Sequence, residues 1–230
     1  MENKKINLRM VATVAKALQE LRQRMIFVGG AVISLYTDDP AADEVRPTSD
    51  IDMTIQLTGF SEWAAIQKRF TALGFHPDPN GHAICSYLHK NISIDIMPAE
   101  DGPIGKANRW YMPGFRYIQQ VPVEDVTIKI LSAPYFLASK FEAFHSRGGD
   151  YRTSYDFEDI MYVIDNRLSI VEEVRKADTE VRTFLEQEFK TVVSTPYTEE
   201  IIRSQIHPFI ADERYPLILE KINQIICGKG

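Results

Sequence analysis

The stretch DIDMTIQL, Asp50 to Leu57, alternates without a break. Ile51, Met53, Ile55 and Leu57 share one face of an extended chain, and Asp50, Asp52, Thr54 and Gln56 the other, because successive strand side chains point to opposite sides. Such a strand needs a core under one face only. Upstream, Met25 to Val28 (MIFV) is apolar throughout and is stopped by Gly29-Gly30, which reads as a short buried strand. Together they require a sheet with a covered interior and a polar face left open.

The remaining segments fit around that sheet. Residues 6 to 23 place Leu8, Val11, Val14, Leu18 and Leu21 at helical spacing, predicting an amphipathic helix. Ala31 to Tyr36 reads as a helical turn or two after the glycines, and Thr37 to Ser49 (TDDPAADEVRPTS) as a loop. Ser61 to Leu73 is a predicted helix ended by Gly74. Ala83 to Leu88 and Asn91 to Met97 read as two strands joined by a tight turn at His89-Lys90, with Ser93, Asp95 and Met97 on one face of the second. Val126 to Leu131 (VTIKIL) is a further strand. Beyond Ser132 the pattern turns helical: Tyr135 to Phe144, a polar loop His145 to Ser154, Tyr155 to Asp165, and three more helical patterns reaching Ile226. The chain is therefore α+β, with an α/β-type unit over residues 1–131 carrying a mixed β-sheet and an all-helical unit over residues 132–230.

Bulk properties narrow the function classes. A net charge of −6 gives no global basic field for nucleic acid, while leaving room for a local basic groove. Cys85 and Cys227 are too far apart in sequence for a disulfide framework or a zinc site and read as reduced, partly buried thiols. The five histidines show no paired ligand spacing. No apolar run approaches the roughly 20 residues of a membrane span. The N-terminal apolar stretch is interrupted by Lys16 and does not read as a signal peptide, so a cytoplasmic protein is expected. The aromatic run RWYMPGFRY, with Arg109, Trp110, Tyr111 and Arg116, reads as a packed loop in preference to a base-stacking platform.

The chemistry concentrates on the polar strand face. Asp50 and Asp52 project side by side, and Asp95 adds a third carboxylate from another strand. Like charges held together need a positive partner, and hard cations such as Mg2+ or Mn2+ prefer carboxylate oxygens. Carboxylates from neighbouring strands suit metal-assisted phosphoryl or nucleotidyl displacement. Gly29-Gly30, between strand and helix, offers unpaired backbone N–H groups to phosphate. Taken singly, Asp-x-Asp is commonly a solvated strand face and Gly-Gly a turn; in combination they point to one site.

GGAVISLY followed by RPTSDIDMTI resembles the signature of the DNA-polymerase-beta-like nucleotidyltransferases, and is similar in particular to the AbiEii/AbiGii toxin-type branch. The matching positions are Gly29, Gly30, Arg46, Thr48, Ser49, Asp50 and Asp52. Lys140, Arg147 and SYDFED, with Asp156 and Asp159, match that branch's later motif, except that Tyr155 stands where a lysine is usual. The resemblance covers about residues 25 to 165. It implies a nucleotidyltransferase domain over 1–131 and a helical C-terminal domain over 132–230. It implies NMP transfer from an NTP to an acceptor with release of pyrophosphate, metal at Asp50 and Asp52, which the strand pattern joins with Asp95, and nucleotide contacts at Gly29, Gly30, Arg46, Thr48, Ser49, Lys140 and Asp159. Lys140 and Asp156 join the three aspartates as implied catalytic residues. The implied acceptor is tRNA and the implied partner an antitoxin. A small-molecule acceptor, or a silent nucleotide-binding module of the same fold, remain alternative readings.

Overall fold

The computed structural model describes residues 2–81, 85–102 and 105–228. By its contacts the chain divides into two compact units, Met1–Leu35 with Glu44–Ser132, and Tyr36–Asp43 with Ala133–Gly230.

The first unit is built on a seven-stranded mixed sheet. Its strands are β1 (Met25–Val28), β2 (Asp50–Ile55), β3 (His76–Pro77), β4 (Ser86–His89), β5 (Ile92–Pro98), β6 (Ile118–Val123) and β7 (Val126–Leu131). They lie in the order β3-β4-β5-β2-β1-β7-β6. β1 runs antiparallel to β2 and parallel to β7, while β2 runs parallel to β5. The all-apolar β1 is buried at every position, as its central place demands. Ile51, Met53 and Ile55 of β2 and Ile94 and Ile96 of β5 are fully buried on the apolar face. Helix α1 (Glu2–Ala17) packs against β6 and β7. Helix α2 (Phe60–Ala72) packs Trp63 and Phe70 against the Tyr87 ring of β4.

The differences from the predicted elements have local causes. The first helix starts at Glu2 and ends at Ala17; Gln19–Arg24 continues as a 3-10 helix that still buries Leu21. The segment after the glycines, Gly30–Tyr36, is likewise a 3-10 helix. The expected start of β4 at Ala83 lies outside the described residues, as does His82. The β4–β5 turn falls at Lys90-Asn91, one residue later than expected, because His89 pairs with Ile92. Lys90 and Asn91 both take positive φ, +49° and +66°, the conformation that a two-residue type I′ hairpin requires. Strand β6 was not expected; it carries Pro122 and sits at a sheet edge, where a missing N–H is tolerated. The aromatic run packs as the short helix α3 (Tyr111–Gly114) with Trp110 and Tyr111 buried. Cys85 is half-buried, whereas Cys227 is exposed.

The second unit is helical among its described residues: α4 (Ala133–Ser146), α5 (Tyr155–Asn166), α6 (Ile170–Lys176), α7 (Thr179–Ser194), α8 (Thr198–Arg203) and α9 (Ala211–Cys227). The region expected to hold three helices after α5 thus holds four. Phe141 of α4 meets Phe184 and Phe189 of α7 edge-on. Lys221 of α9 donates to the carbonyls of Ile164, Asp165 and Arg167, satisfying the C-terminal end of α5. Burial there pushes the Lys221 pKa down against the pull of Asp165. The segment Tyr36–Asp43 is tied to these helices. Tyr36 stacks on Phe136, Asp38 and Asp39 donate their N–H groups to the Asn166 carbonyl, and Arg214 clamps Asp39 and Asp165. No described helix is long and apolar enough to cross a membrane.

The hairpin geometry yields a stability prediction. Positive φ costs a side-chain-bearing residue but not glycine, and asparagine tolerates it better than lysine. Replacing Lys90-Asn91 by Asn-Gly should therefore stabilise the protein by about 1 kcal/mol. Urea unfolding checks this; an unchanged or lowered midpoint would refute the turn assignment.

Candidate active site

The parallel pairing of β2 with β5 sets Asp52 directly opposite Asp95 and Asp50 opposite Ser93. Alternation along β2 keeps Asp50 on the same face as Asp52, so all three carboxylates converge. One oxygen from each lies within 4.8 Å of the others, and all three residues are half-buried. Like charges at about 5 Å repel by about 1 kcal/mol in water and about 3 kcal/mol at an effective dielectric of about 20. A divalent cation removes that repulsion. The donor set, three carboxylates and no thiol or imidazole, fits a hard ion such as Mg2+ or Mn2+.

Neighbouring residues hold each carboxylate. The Thr48 hydroxyl donates to Asp50 Oδ1 at 2.7 Å. The Ser86 hydroxyl donates to Asp95 Oδ1 at 2.5 Å. Asp52 lies against Gly29, where a Cβ atom would fall 1.9 Å from Asp52 Oδ2. Gly29 also has φ +75°, so both backbone conformation and space demand glycine. Gly30 serves Arg46 in the same way, since a Cβ there would fall 2.8 Å from the guanidinium Nη2. The two glycines thus admit an aspartate and an arginine against the backbone.

The loop bearing Arg46, Thr48 and Ser49 is fastened by Asn7 of α1. Asn7 is buried; its amide donates to the Arg46 carbonyl at 3.1 Å and its oxygen accepts from the Thr48 N–H at 3.3 Å. Arg46 and Thr48 are half-buried and Ser49 is exposed. Sequence reasoning missed Asn7, because an amide on the apolar side of an amphipathic helix carries no motif. It missed Ser86 because the turn was set one residue early, which would pair Asp95 with Ile84. Cys85 lies near the trio; burial, and secondarily the charge of Asp95, raises its thiol pKa.

In the helical unit, Lys140 does not reach to solvent along an apolar helix. It is 7% exposed, and its ammonium contacts Asp156 Oδ1 at 3.1 Å and Asp159 Oδ2 at 2.6 Å. Asp156 and Asp159 are 3% and 1% exposed, so neither is a surface charge. Arg147, itself largely exposed, adds a contact to Asp156 Oδ2 at 2.7 Å. Two carboxylates and two cations therefore balance within one cluster. Ser154 caps α5 by accepting the Phe157 N–H, which seats Asp156 in the first turn, where the helix dipole favours a negative charge.

The family described as nucleotidyl transferase AbiEii toxin, type IV TA system, matches residues 14–224. No curated protein matches the chain significantly. Among solved structures, the chain is similar to an antigenic nucleotidyltransferase-like protein from Paracoccidioides brasiliensis. The two are 18% identical over 90% of this chain and 94% of that one, with a TM-score of 0.49.

The buried cluster makes Lys140 a stability residue. Lys140→Met removes the cation from two buried carboxylates and should cost about 3–5 kcal/mol, whereas Lys140→Arg should retain most of the stability. Guanidinium unfolding distinguishes them; a Lys140→Met protein as stable as wild type would mean that the cluster is not closed in solution.

Proposed function

We propose, on the premise that this chain belongs to the AbiEii family of nucleotidyl transferase toxins, that it is a metal-dependent nucleotidyltransferase moving NMP from an NTP to an acceptor and releasing pyrophosphate. The observation that carries this reading is the convergence of Asp50, Asp52 and Asp95 within 4.8 Å on one sheet face. Asp50 and Asp52 would hold Mg2+ or Mn2+, and Asp95 would complete that set or accept the proton of the attacking hydroxyl. When bound, the ion supplies positive charge to the phosphates and acidity to a coordinated oxygen.

The remaining assignments are to the chain's own groups. The backbone at Gly29 and Gly30, with Arg46, Thr48 and Ser49, is proposed to bind the nucleotide. Lys140 is proposed to offset triphosphate charge, with Asp156 and Asp159 fixing its ammonium. That pairing supports a positioning role for Asp156 and lets Asp159 share it. The family's type IV toxin–antitoxin description supports an antitoxin partner, and we take tRNA as the first acceptor to test. A silent binding module would have no chemical reason to keep three mutually repelling carboxylates.

Incubation with each labelled NTP, Mg2+ and total tRNA should label the RNA. Asp50→Asn with Asp52→Asn should reduce labelling to background. NTP with Mn2+ should also raise the Tm of the wild type, by about 2.7 kcal/mol of stabilisation at ligand one hundred-fold above Kd, and not that of the double variant. Labelling of an added small molecule with none of tRNA would change the acceptor. A thermal shift retained in the double variant would move the metal site elsewhere.

A further inference from the structure

We infer that Ser86 is a positioning residue for the active site: its hydroxyl holds the Asp95 carboxylate in the acidic trio and so tunes cation affinity. The inference rests on the metal-dependent reading above. Asp95 faces Asp52 in direct register across β2 and β5, and like charges opposite one another destabilise a strand pair. Left to itself, the Asp95 side chain lowers its energy by rotating away from Asp52 before any cation arrives. Ser86 opposes that rotation. It sits across from Asp95 in the antiparallel β4–β5 ladder, so its side chain lies on the same face. Its hydroxyl donates to Asp95 Oδ1 at 2.5 Å. That hydrogen bond fixes the side-chain torsion of Asp95 and leaves Oδ2 and the second lone pair of Oδ1 for a cation or a proton.

The surroundings fix Ser86 in turn. It is 3% exposed, and its carbonyl accepts the Asp78 N–H at 3.0 Å. Asp78 opens a turn in which its Oδ1 accepts the Asn80 N–H and its carbonyl the Gly81 N–H. Gly81 closes over Ser86 so tightly that a Cβ there would fall 2.4 Å from the Ser86 Cβ. The Ser93 hydroxyl, next but one to Asp95 on the same face, reaches Asp78 Oδ2 at 3.3 Å. The serine is thus locked between a glycine-bearing turn and the carboxylate that it donates to. Outer hydrogen-bond partners of this kind commonly change metal affinity by about 10–100-fold when removed.

Mn2+ titration followed by electron paramagnetic resonance, without nucleotide, tests this on the full chain. The proteins are wild type, Ser86→Ala, Ser86→Cys, Asp95→Asn and Ser86→Ala with Asp95→Asn, each checked for folding by its unfolding midpoint. Ser86→Ala should weaken Mn2+ about 10-fold. Ser86→Cys, nearly the same shape with a poor donor, should do likewise. In the Asp95→Asn background the serine change should add less than about 2-fold, since Ser86 acts through that carboxylate. Wild-type affinity in a folded Ser86→Ala or Ser86→Cys protein would overturn the inference alone. So would an equal further loss in the Asp95→Asn background. No Mn2+ binding by the wild type would overturn the metal reading, and this inference with it.

Discussion

The pairing of β2 with β5 is the constraint on which the rest of the first unit depends. Being parallel, it sets Asp52 beside Asp95 and Asp50 beside Ser93. Slipping the register by one residue would send every side chain of one strand to the opposite face. Such a slip would also pull Ile51, Met53 and Ile55 out of the core, or Ile94 and Ile96, all of which are fully buried. At about 25 cal/mol per Å2 of apolar surface, each buried side chain contributes about 1.5–3 kcal/mol. Several such residues outweigh the repulsion of half-exposed carboxylates, about 1–3 kcal/mol a pair. The hydrophobic face therefore holds the acidic face together, and the site draws its strain from the core.

The helical unit solves a related problem in the opposite way. Its acidic residues Asp156 and Asp159 are almost wholly buried, with cations supplied by Lys140 and Arg147 within the same unit. Desolvating a charge without a partner costs several kcal/mol, so this cluster must be internally neutral to exist. The trio on the sheet is half-buried, with the Thr48 hydroxyl donating to Asp50 and the Ser86 hydroxyl to Asp95. Hydroxyl donors orient a carboxylate without cancelling its charge. One acidic group is neutralised by Lys140 and Arg147 in its own unit, whereas the other brings three carboxylates together in a set that a divalent ion would fit.

Legibility in the sequence followed the range of the forces involved. β1 and β7 have the bounds expected from their apolar runs, and alternation placed Asp50 and Asp52 on the polar face of β2, although Thr54 of that face is fully buried and the strand ends at Ile55. Those features depend on side chains next to one another in the chain. β6 was hidden because Gln119, Gln120 and Pro122 break the apolar pattern that an edge strand does not need. The two-residue β4–β5 turn carries no glycine, so its position could be set only by the cross-strand register. The burial of Lys140 was hidden because it depends on α5, which lies beyond an intervening loop. The three aspartates were found from local pattern; of the hydroxyls that donate to them, Thr48 was named for another role and Ser86 was not named.

That division has a physical reason. A carboxylate that meets a ligand must be one of a few residue types, so its identity is visible wherever it stands. A group that orients the carboxylate needs only a donor at the right distance, and serine, threonine or a backbone N–H can supply it. Ser86 looks ordinary in sequence for this reason, as does Asn7, which fastens the Arg46–Thr48 loop through one donor and one acceptor; Thr48 stood out only through the family motif, as a nucleotide contact and not as a donor to Asp50. The glycines are the exception. Gly29 and Gly81 are demanded by the atoms packed against them, Asp52 in one case and Ser86 in the other. These two glycines mark where a site side chain is pressed against the backbone, whereas Gly59 and Gly148 have open space beside them, so only the packed neighbour tells one kind from the other.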